Sequence, residues 1–175
     1  MQLDHFDALA HAAPPQAPRP MLFVLDGVAD RANVAHAFRL AGSLCARVWL
    51  VEADITPATD RGLRRLSRMQ TDHVRWEQIG RREAVERLSQ EEVRAIALEI
   101  SSRSVPYPAL SLAPDAPIAI VAGAEREGVS PAMLEACAVH VHVPMAGTGS
   151  SLNVAMSLAI VAAHFAWGSA DTQER

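Results

Sequence analysis

The chain has 175 residues and a net charge of −4; half of its residues are hydrophobic and 5% are aromatic. This length predicts a single domain, whose core is built mainly from aliphatic side chains. The acidic balance, taken alone, argues against a nucleic-acid partner. The two cysteines, Cys45 and Cys137, lie far apart and form no CxxC pair. Such cysteine usage is typical of a reducing compartment and argues against a disulfide framework or a cysteine-built zinc site.

The N-terminal residues lack the basic and apolar regions of a secretion signal. The longest apolar run, Leu152–Trp167, is too short and too often interrupted by polar residues to span a bilayer. We therefore expect a soluble cytoplasmic protein that makes no membrane contact. The expected organisation is an N-terminal arm rich in Ala, Pro and His (1–20), one folded domain (21–168) and a short C-terminal tail (169–175).

Strands and helices are predicted to alternate along the domain. Met21–Asp26 (MLFVLD) is a continuous apolar run, typical of a buried strand, and Asp30 can cap a helix over Arg31–Leu44. The other strands are predicted at Arg47–Glu52, Asp72–Glu77, Val93–Glu99, Pro117–Ala122 and Val139–Val143. The other helices are predicted from Pro57, over Gly80–Gln90, near Pro131–Cys137 and from about Leu152. Three prolines predict a loop over 101–115. The alternation predicts an α/β fold with a mainly parallel sheet and helices on both faces.

Basic residues are unevenly distributed along the chain. There is no lysine, so all 16 basic residues are arginines, and eight of these lie between positions 61 and 87. On a helix, the spacing of Arg61, Arg64, Arg65 and Arg68 would form one stripe. Such a stripe is either a solvated helix face or a surface that contacts phosphates, and the sequence leaves both interpretations open.

The last strand leads through a small-residue loop into a strongly apolar helix. Gly147 and Gly149 permit close approach of the backbone to a ligand, and Ser150 or Ser151 can cap the helix. Open α/β sheets place ligands at such junctions. The sequence therefore predicts a ligand site here.

The final helix is apolar nearly all round, so it should be buried on more than one side. A domain of this size has little interior in which to hide such a helix. We therefore expect a homodimer, whose interface covers His164, Phe165 and Trp167.

Several common sites are excluded or disfavoured. A Walker A phosphate loop needs a lysine, which the chain lacks. Gly147-Thr148-Gly149 has no third glycine for a dinucleotide fingerprint, and the segment Gly123–Gly128 places an acid where a phosphate cradle needs a neutral residue. His140 and His142 alone make a poor zinc site, so no metal is expected.

Three stretches together resemble a known family. They are Leu25–Arg39 (LDGVADRANVAHAFR), Ile120–Ser130 (IVAGAEREGVS) and Val143–Ala155 (VPMAGTGSSLNVA). In order and spacing they resemble motifs one, two and three of the SpoU/TrmH branch of the SPOUT RNA methyltransferases. The resemblance implies a C-terminal trefoil knot, S-adenosylmethionine as cofactor, a homodimer whose site is completed across the interface, and methyl transfer to a ribose 2′-hydroxyl of tRNA or rRNA.

The resemblance also implies roles for individual residues. The catalytic group consists of Asn33 and Arg39 of motif one, Glu125 of motif two, and Ser151 and Asn153 of motif three. The implied cofactor-binding residues are Leu98, Glu99, Gly123, Val143, Met145, Ser151 and Leu152. The arginines expected to contact RNA are Arg31, Arg61, Arg64, Arg65, Arg68 and Arg126.

The chain departs from the family pattern at some positions. Arg31 stands where many members have proline, and Ala35-His36 replaces a small pair that begins with glycine. The arm over 1–20 is too short for the separate RNA-binding domain that the family often carries, so RNA binding is expected to rest on the catalytic domain or on a partner. Two alternatives stay open: a base-methylating or resistance-type rRNA methyltransferase of the same fold, and a non-catalytic RNA-binding protein.

Overall fold

The computed structural model describes residues 17–90, 92–113, 116–147 and 151–167. Most of the predicted N-terminal arm and all of the predicted C-terminal tail lie outside these ranges, as do Thr148, Gly149 and Ser150 of the small-residue loop. Within the described residues, no helix is long and apolar enough to cross a membrane.

Seven strands and five helices alternate through the described residues. The strands are β1 (Met21–Asp26), β2 (Arg47–Val51), β3 (Trp76–Ile79), β4 (Arg94–Leu98), β5 (Val105–Pro106), β6 (Ile118–Gly123) and β7 (Val139–His142). The helices are α1 (Arg31–Leu44), α2 (Arg61–Leu66), α3 (Arg81–Gln90), α4 (Pro131–Ala136) and α5 (Val154–Ala166). Two short 3₁₀ turns lie at Gln70–Asp72 and Tyr107–Ala109.

The strands form one sheet in the order β3-β2-β1-β6-β4-β7-β5, and every described strand pair is parallel. The predicted α/β class is therefore confirmed. The predicted strand at Asp72–Glu77 is displaced, because the chain turns in a 3₁₀ helix over 70–72 and pairs with β2 only from Trp76 onward. The trefoil knot implied by the resemblance stays a prediction.

Helices cover both faces of the sheet. Phe23 and Leu25 of β1 pack into a core shared with α1, α2 and α5, whereas Leu22 and Val24 pack into a second core with α3 and α4. All six residues of β1 are buried, as are all six of β6. Because both faces of these strands are buried, their sequences are nearly continuous runs of apolar residues.

Helix α1 has the predicted bounds and the predicted cap. The Asp30 carboxylate accepts a hydrogen bond from the backbone N–H of Asn33 at 2.8 Å. The predicted inner face is confirmed by burial of Val34, Ala37, Phe38, Ala41 and Leu44. Asn33, which the helical pattern placed off this face, is buried as well, with 6% of its surface exposed.

The predicted arginine stripe forms only in part: Arg61, Arg64 and Arg65 lie on α2, but Arg68 does not. Pro57 lies buried in a turn, and α2 begins only at Arg61, where the Asp60 carboxylate accepts from the Leu63 N–H at 2.9 Å. This bond, reinforced by Arg31, holds the pKa of Asp60 below its usual value. The helix ends at Leu66, so Arg68 leaves the helical face and adopts a left-handed conformation with φ 52°.

Helix α5 begins with a different cap from the one predicted. The side-chain oxygen of Asn153, rather than that of Ser151, accepts from the N–H groups of Ala155 and Met156 at 3.0 and 3.2 Å. Ser150, the other predicted cap, lies outside the described residues. Asn153 is the residue with capping geometry because the helix starts two residues later than expected.

The far end of α5 is held by the segment that precedes β1. The N–H of Arg19 donates to the Ala166 carbonyl at 2.7 Å. Its guanidinium, which is buried, donates to the carbonyl oxygens of Phe165, Ala113 and Ala116. A cation at this position also complements the negative end of the helix dipole.

The two thiols are expected to differ in reactivity. Cys45 is exposed, whereas Cys137 is buried under the sheet. Burial, with a smaller contribution from Asp26, raises the pKa of the Cys137 thiol to about 12, and the thiolate is the reactive form. In a disulfide-exchange assay at mildly alkaline pH, the native protein should release one equivalent of the reagent's thiol rapidly, from reaction at Cys45. The second equivalent, from Cys137, should be released only after denaturation. A Cys45→Ser variant serves as control and should show no rapid phase; two rapid equivalents in the native protein would contradict the buried placement.

Candidate active site

A cleft of about 560 Å³ opens at the carboxyl ends of β4, β6 and β7. Ligands of open parallel sheets bind at this edge. One wall is the segment that follows β4, a second is the turn that follows β6, and a third is the loop between β7 and α5.

All seven residues expected to hold a cofactor line this cleft. They are Leu98, Glu99, Gly123, Val143, Met145, Ser151 and Leu152. Glu125, Arg126 and Asn153 line it too, so residues from motifs two and three meet in one place. Met145 and Leu152 keep 36% and 38% of their surface exposed, which leaves apolar surface available to a ligand.

The turn after β6 depends on a glycine. A Cβ atom built on Gly123 would lie 2.0 Å from the carbonyl carbon of Gly128, so no larger residue fits unless the backbone moves. Gly128 itself has a φ of 70°, in the left-handed region that favours glycine. This close approach folds the segment 124–128 back against the end of β6 and shapes the wall of the cleft.

Glu99 ties the end of β4 to this turn. Its Oε2 accepts from the Val129 N–H at 2.8 Å, and its Oε1 accepts from the Ile100 N–H at 2.9 Å. Glu99 therefore joins two walls of the cleft in addition to lining it.

A line of hydrogen-bonded side chains joins the three motifs. Asn153 donates through Nδ2 to Oδ1 of Asn33 at 2.8 Å, and Asn33 donates through Nδ2 to Oε1 of Glu125. The direction of the line is set at its start: because the Asn153 oxygen accepts from the α5 backbone, its NH₂ group must face Asn33. The Asn33 NH₂ group is then left to face Glu125. The acid is thus held in a fixed position beside the cleft.

Asp26 supports the site, although it was not among the residues predicted from the sequence. Its side chain is 1% exposed; Oδ1 pairs with Nε of Arg81 at 2.9 Å and Oδ2 accepts from the Ser130 N–H at 2.8 Å. It anchors the end of motif two to the end of β1. A carboxylate directly after five apolar residues was the available signal, since a buried charge requires partners.

Arg39 is not brought to the cleft of its own chain. It is exposed on α1 and borders a separate depression with His36 and Arg68. The catalytic set expected from the resemblance is therefore divided. Glu125, Ser151 and Asn153 line the cleft, Asn33 is hydrogen-bonded to two of them, and Arg39 lies elsewhere.

Of the other predicted RNA-contacting arginines, five lie on or beside α2: Arg61, Arg64 and Arg65 belong to the helix, Arg31 contacts its start and Arg68 follows its end. Arg31 pairs with Asp60 at 2.8 Å and Arg64 pairs with Asp72 at 2.9 Å, while Arg126 is exposed on the rim of the cleft. Arg61 and Arg65 are exposed on α2. Within the described part of the chain, no group of three or more His, Cys, Asp or Glu residues is placed to hold a metal ion.

The fold and the cleft define a parallel α/β protein with a ligand site at the carboxyl edge of its sheet. A profile of the SpoU rRNA methylase family matches residues 20–163, and the chain belongs to this family.

Relatives agree with this assignment. A 23S rRNA (adenosine(1067)-2'-O)-methyltransferase of Streptomyces azureus is 31% identical over 157 residues, which cover 83% of this chain and 58% of the relative. A 23S rRNA (guanosine-2'-O-)-methyltransferase of Ralstonia nicotianae is 29% identical over 139 residues, covering 79% of this chain and 55% of the relative. The chain thus spans little more than half the length of these relatives.

The fold is shared with solved structures. An AdoMet-bound rRNA methyltransferase from Sinorhizobium meliloti superposes with a TM-score of 0.75 at 21% identity, covering 86% of this chain and 56% of that one. At this identity the likeness establishes the fold.

Two glycines bordering the cleft region offer a matched test of this geometry. Gly123→Ala forces the backbone at Gly128 to move and should lower the free energy of unfolding by about 3 kcal/mol. Among the described residues, no atom lies within 4 Å of a Cβ position built on Gly147, so Gly147→Ala should change the free energy of unfolding by less than about 0.5 kcal/mol. Urea denaturation followed by circular dichroism measures both; equal stabilities would contradict the close approach at Gly123.

Proposed function

We propose that the protein is an S-adenosylmethionine-dependent RNA methyltransferase that acts on a ribose 2′-hydroxyl of rRNA or tRNA. The observation that carries the proposal is the hydrogen-bonded line Asn153–Asn33–Glu125, which fixes one side chain from each family motif beside the cleft. The names of the two relatives, both 2'-O-methyltransferases of 23S rRNA, support the reaction and the substrate class.

The cleft suits the cofactor in size and chemistry. Its volume of about 560 Å³ lies within the range of small-molecule sites. Leu98, Val143 and Leu152 line the cleft and provide apolar surface for an adenosine, and Gly123 and Glu99 line it as well. The AdoMet-bound state of the Sinorhizobium meliloti structure supports the same cofactor. When bound, S-adenosylmethionine supplies an electrophilic methyl group on a sulfonium.

The residues of this chain then have to position the ribose and accommodate its proton. Transfer to an oxygen nucleophile requires chiefly that the nucleophile be close and in line. Asn33 and Glu125, held rigid by Asn153, are proposed to orient the target nucleotide at the mouth of the cleft. Ser151 borders the same space with its hydroxyl group.

Arg39 is assigned to charge stabilisation. An arginine guanidinium stays charged near neutral pH, which makes it a poor general base. Its planar donors instead hold the phosphate of the target nucleotide and stabilise the developing alkoxide, while the proton leaves to phosphate or water.

A homodimer would bring Arg39 to the cleft. The exposed side of α5 carries Met156, Ile160 and Trp167, which are 59%, 38% and 43% exposed. Ile160 lies about one helical turn after Met156, and Trp167 about two turns after Ile160, so the three form one stripe. Phe165, expected in the interface, is instead buried within the chain. Because α1 packs beside α5, a second copy seated on this apolar stripe would present Arg39 of the partner subunit to the cleft.

The dimer is tested by charging the stripe. Met156→Glu with Ile160→Glu should give a monomer in sedimentation velocity, since two carboxylates would have to be desolvated at the interface. Methyl transfer should be lost while the circular dichroism spectrum is retained. Leu66→Glu, on α2 and 45% exposed, is the matched control and should leave the oligomeric state unchanged; a doubly substituted protein that stays dimeric would reject this interface.

The role of Arg39 is tested by a conservative substitution. Arg39→Lys keeps the charge but loses the planar two-donor geometry, so kcat should fall about 100-fold. Affinity for S-adenosylmethionine, measured by calorimetry, should not change, because Arg39 is assigned to the phosphate and the developing alkoxide of the nucleotide and not to the cofactor. Full activity of the lysine variant would refute the requirement for a two-donor contact.

The reaction itself is tested in two steps. Calorimetry with S-adenosylmethionine asks whether the cleft binds the cofactor; absence of binding would favour a non-catalytic RNA-binding protein. Labelled methyl groups are then transferred to bacterial rRNA and tRNA, which are hydrolysed with alkali. Ribose methylation leaves label in alkali-resistant dinucleotides, whereas label in mononucleotides would indicate base methylation and overturn the proposal.

A further inference from the structure

A groove lined with basic side chains leads away from Arg39 across the surface. It consists of two depressions, of about 480 and 260 Å³, that share Gln70. The basic groove is defined by His36, Arg39, Arg68, Arg47, His73 and Arg75. Among the described residues that line the two depressions, none is acidic.

The groove follows α1 from its middle to its end. Helix α1 connects the parallel strands β1 and β2, so it runs from the carboxyl edge of the sheet back to the amino edge. Arg47 opens β2 and Arg75 directly precedes β3; the pairing of Val48 with Trp76 places the two arginines side by side at that edge. From His36 to the end of α1 and the start of β2 is about 15 Å, the axial rise of about four phosphates along one strand.

The floor and one wall of the groove are held by specific contacts. A Cβ atom on Gly42 would lie 2.1 Å from Oε1 of Gln70, so the Gln70 side chain packs directly on the α1 backbone. Arg68 and Met69 have φ values of 52° and 63°, which non-glycine residues rarely adopt. Residues held in such conformations concentrate at functional sites, and this turn holds Arg68 beside Arg39.

Asp72, which precedes His73 of the groove in the chain, is held by an arginine outside the groove. Asp72 is paired with Arg64 at 2.9 Å, and this hydrogen bond lowers the pKa of Asp72. In a chain whose net charge is −4 with histidine counted as neutral, the lining of these two depressions concentrates four arginines beside two histidines. Guanidinium groups match phosphate oxygens in geometry and are weakly hydrated, which favours contacts with a nucleic-acid backbone.

We propose that the basic groove binds the phosphate backbone of the RNA strand that flanks the target nucleotide. The inference rests on the proposed function, because Arg39 at one end of the groove is the residue assigned to the reacting nucleotide. The groove would then extend the contact between protein and RNA backbone from the reaction site to the amino edge of the sheet. This contact would not distinguish one base from another.

The test compares two charge-matched double variants of the full chain. Arg68→Gln with Arg75→Gln removes two groove cations. Arg82→Gln with Arg94→Gln removes two exposed arginines away from the groove; Arg82, on the opposite face of the sheet, has a side chain that is 93% exposed. The probe is a fluorescein-labelled single-stranded RNA oligonucleotide of mixed sequence, whose Kd is measured by anisotropy between about 50 and 200 mM salt.

The groove variant should bind the oligonucleotide about tenfold more weakly at low salt, and its log Kd should depend less steeply on log salt by about 1.4, or about 0.7 for each lost contact. The control variant should match the wild type. Equal affinities and slopes for the two variants, or no RNA binding by the wild-type protein, would overturn the inference.

Two further measurements distinguish failure of the groove proposal from misfolding of a variant and from failure of the proposed function. Arg68→Gly adopts the left-handed conformation without strain, so it should unfold no earlier than the wild type while still losing RNA affinity. Calorimetry with S-adenosylmethionine is run on every variant. If the wild-type protein binds the cofactor and the groove variants keep full RNA affinity, the groove is rejected and the methyltransferase assignment stands. If the groove variants lose RNA affinity but the wild-type protein binds no cofactor, the methyltransferase assignment is rejected and the groove stands.

Discussion

The site depends on the hydrogen-bonded line from Asn153 through Asn33 to Glu125. These residues lie at the start of α5, in the first turn of α1 and in the turn after β6, segments that are separated by 120 and 92 positions in the chain. Asn153 acts in two ways, because its oxygen caps α5 while its NH₂ group binds Asn33. The start of the last helix and the orientation of the acid are therefore fixed by one side chain. Loss of one member would leave the others without partners in a partly buried place, which costs more than the bond itself contributes.

Buried or half-buried acids fasten the surrounding walls at the carboxyl edge of the sheet. Asp26 ties the end of β1 to Ser130, and Glu99 ties the end of β4 to Val129. Both accept from backbone N–H groups of the segment that follows the turn of motif two. Since Gly123 lets that turn lie directly on the end of β6, three strand ends and one turn are joined into a single rigid rim. Such preorganisation suits a reaction in which the protein mainly positions the reactants.

Much of this arrangement was predictable from the sequence, and the exceptions share a cause. The buried strands and α1 were predictable because apolar runs and an N-cap are local signals. The start of α5 was placed too early because serine and asparagine are comparable caps, and only the contact with Asn33 selects Asn153. The arginine stripe lacks Arg68 because α2 ends at Leu66, after which Arg68 and Met69 adopt left-handed conformations. The division of the catalytic set, with Arg39 away from the cleft, depends on how α1 packs and on the second copy that we propose, which no local pattern encodes.

Arg19 has a consequence for longer members of this architecture. It binds the last carbonyl groups of α5 just ahead of β1, so the polypeptide enters and leaves the domain at one corner. That corner is at the amino edge, a full length of α5, or about 20 Å, from the cleft. Any module appended before residue 17 or after residue 167 starts from this corner. It would therefore meet RNA bound in the proposed basic groove first near Arg47 and Arg75, and only farther along at the proposed reaction site.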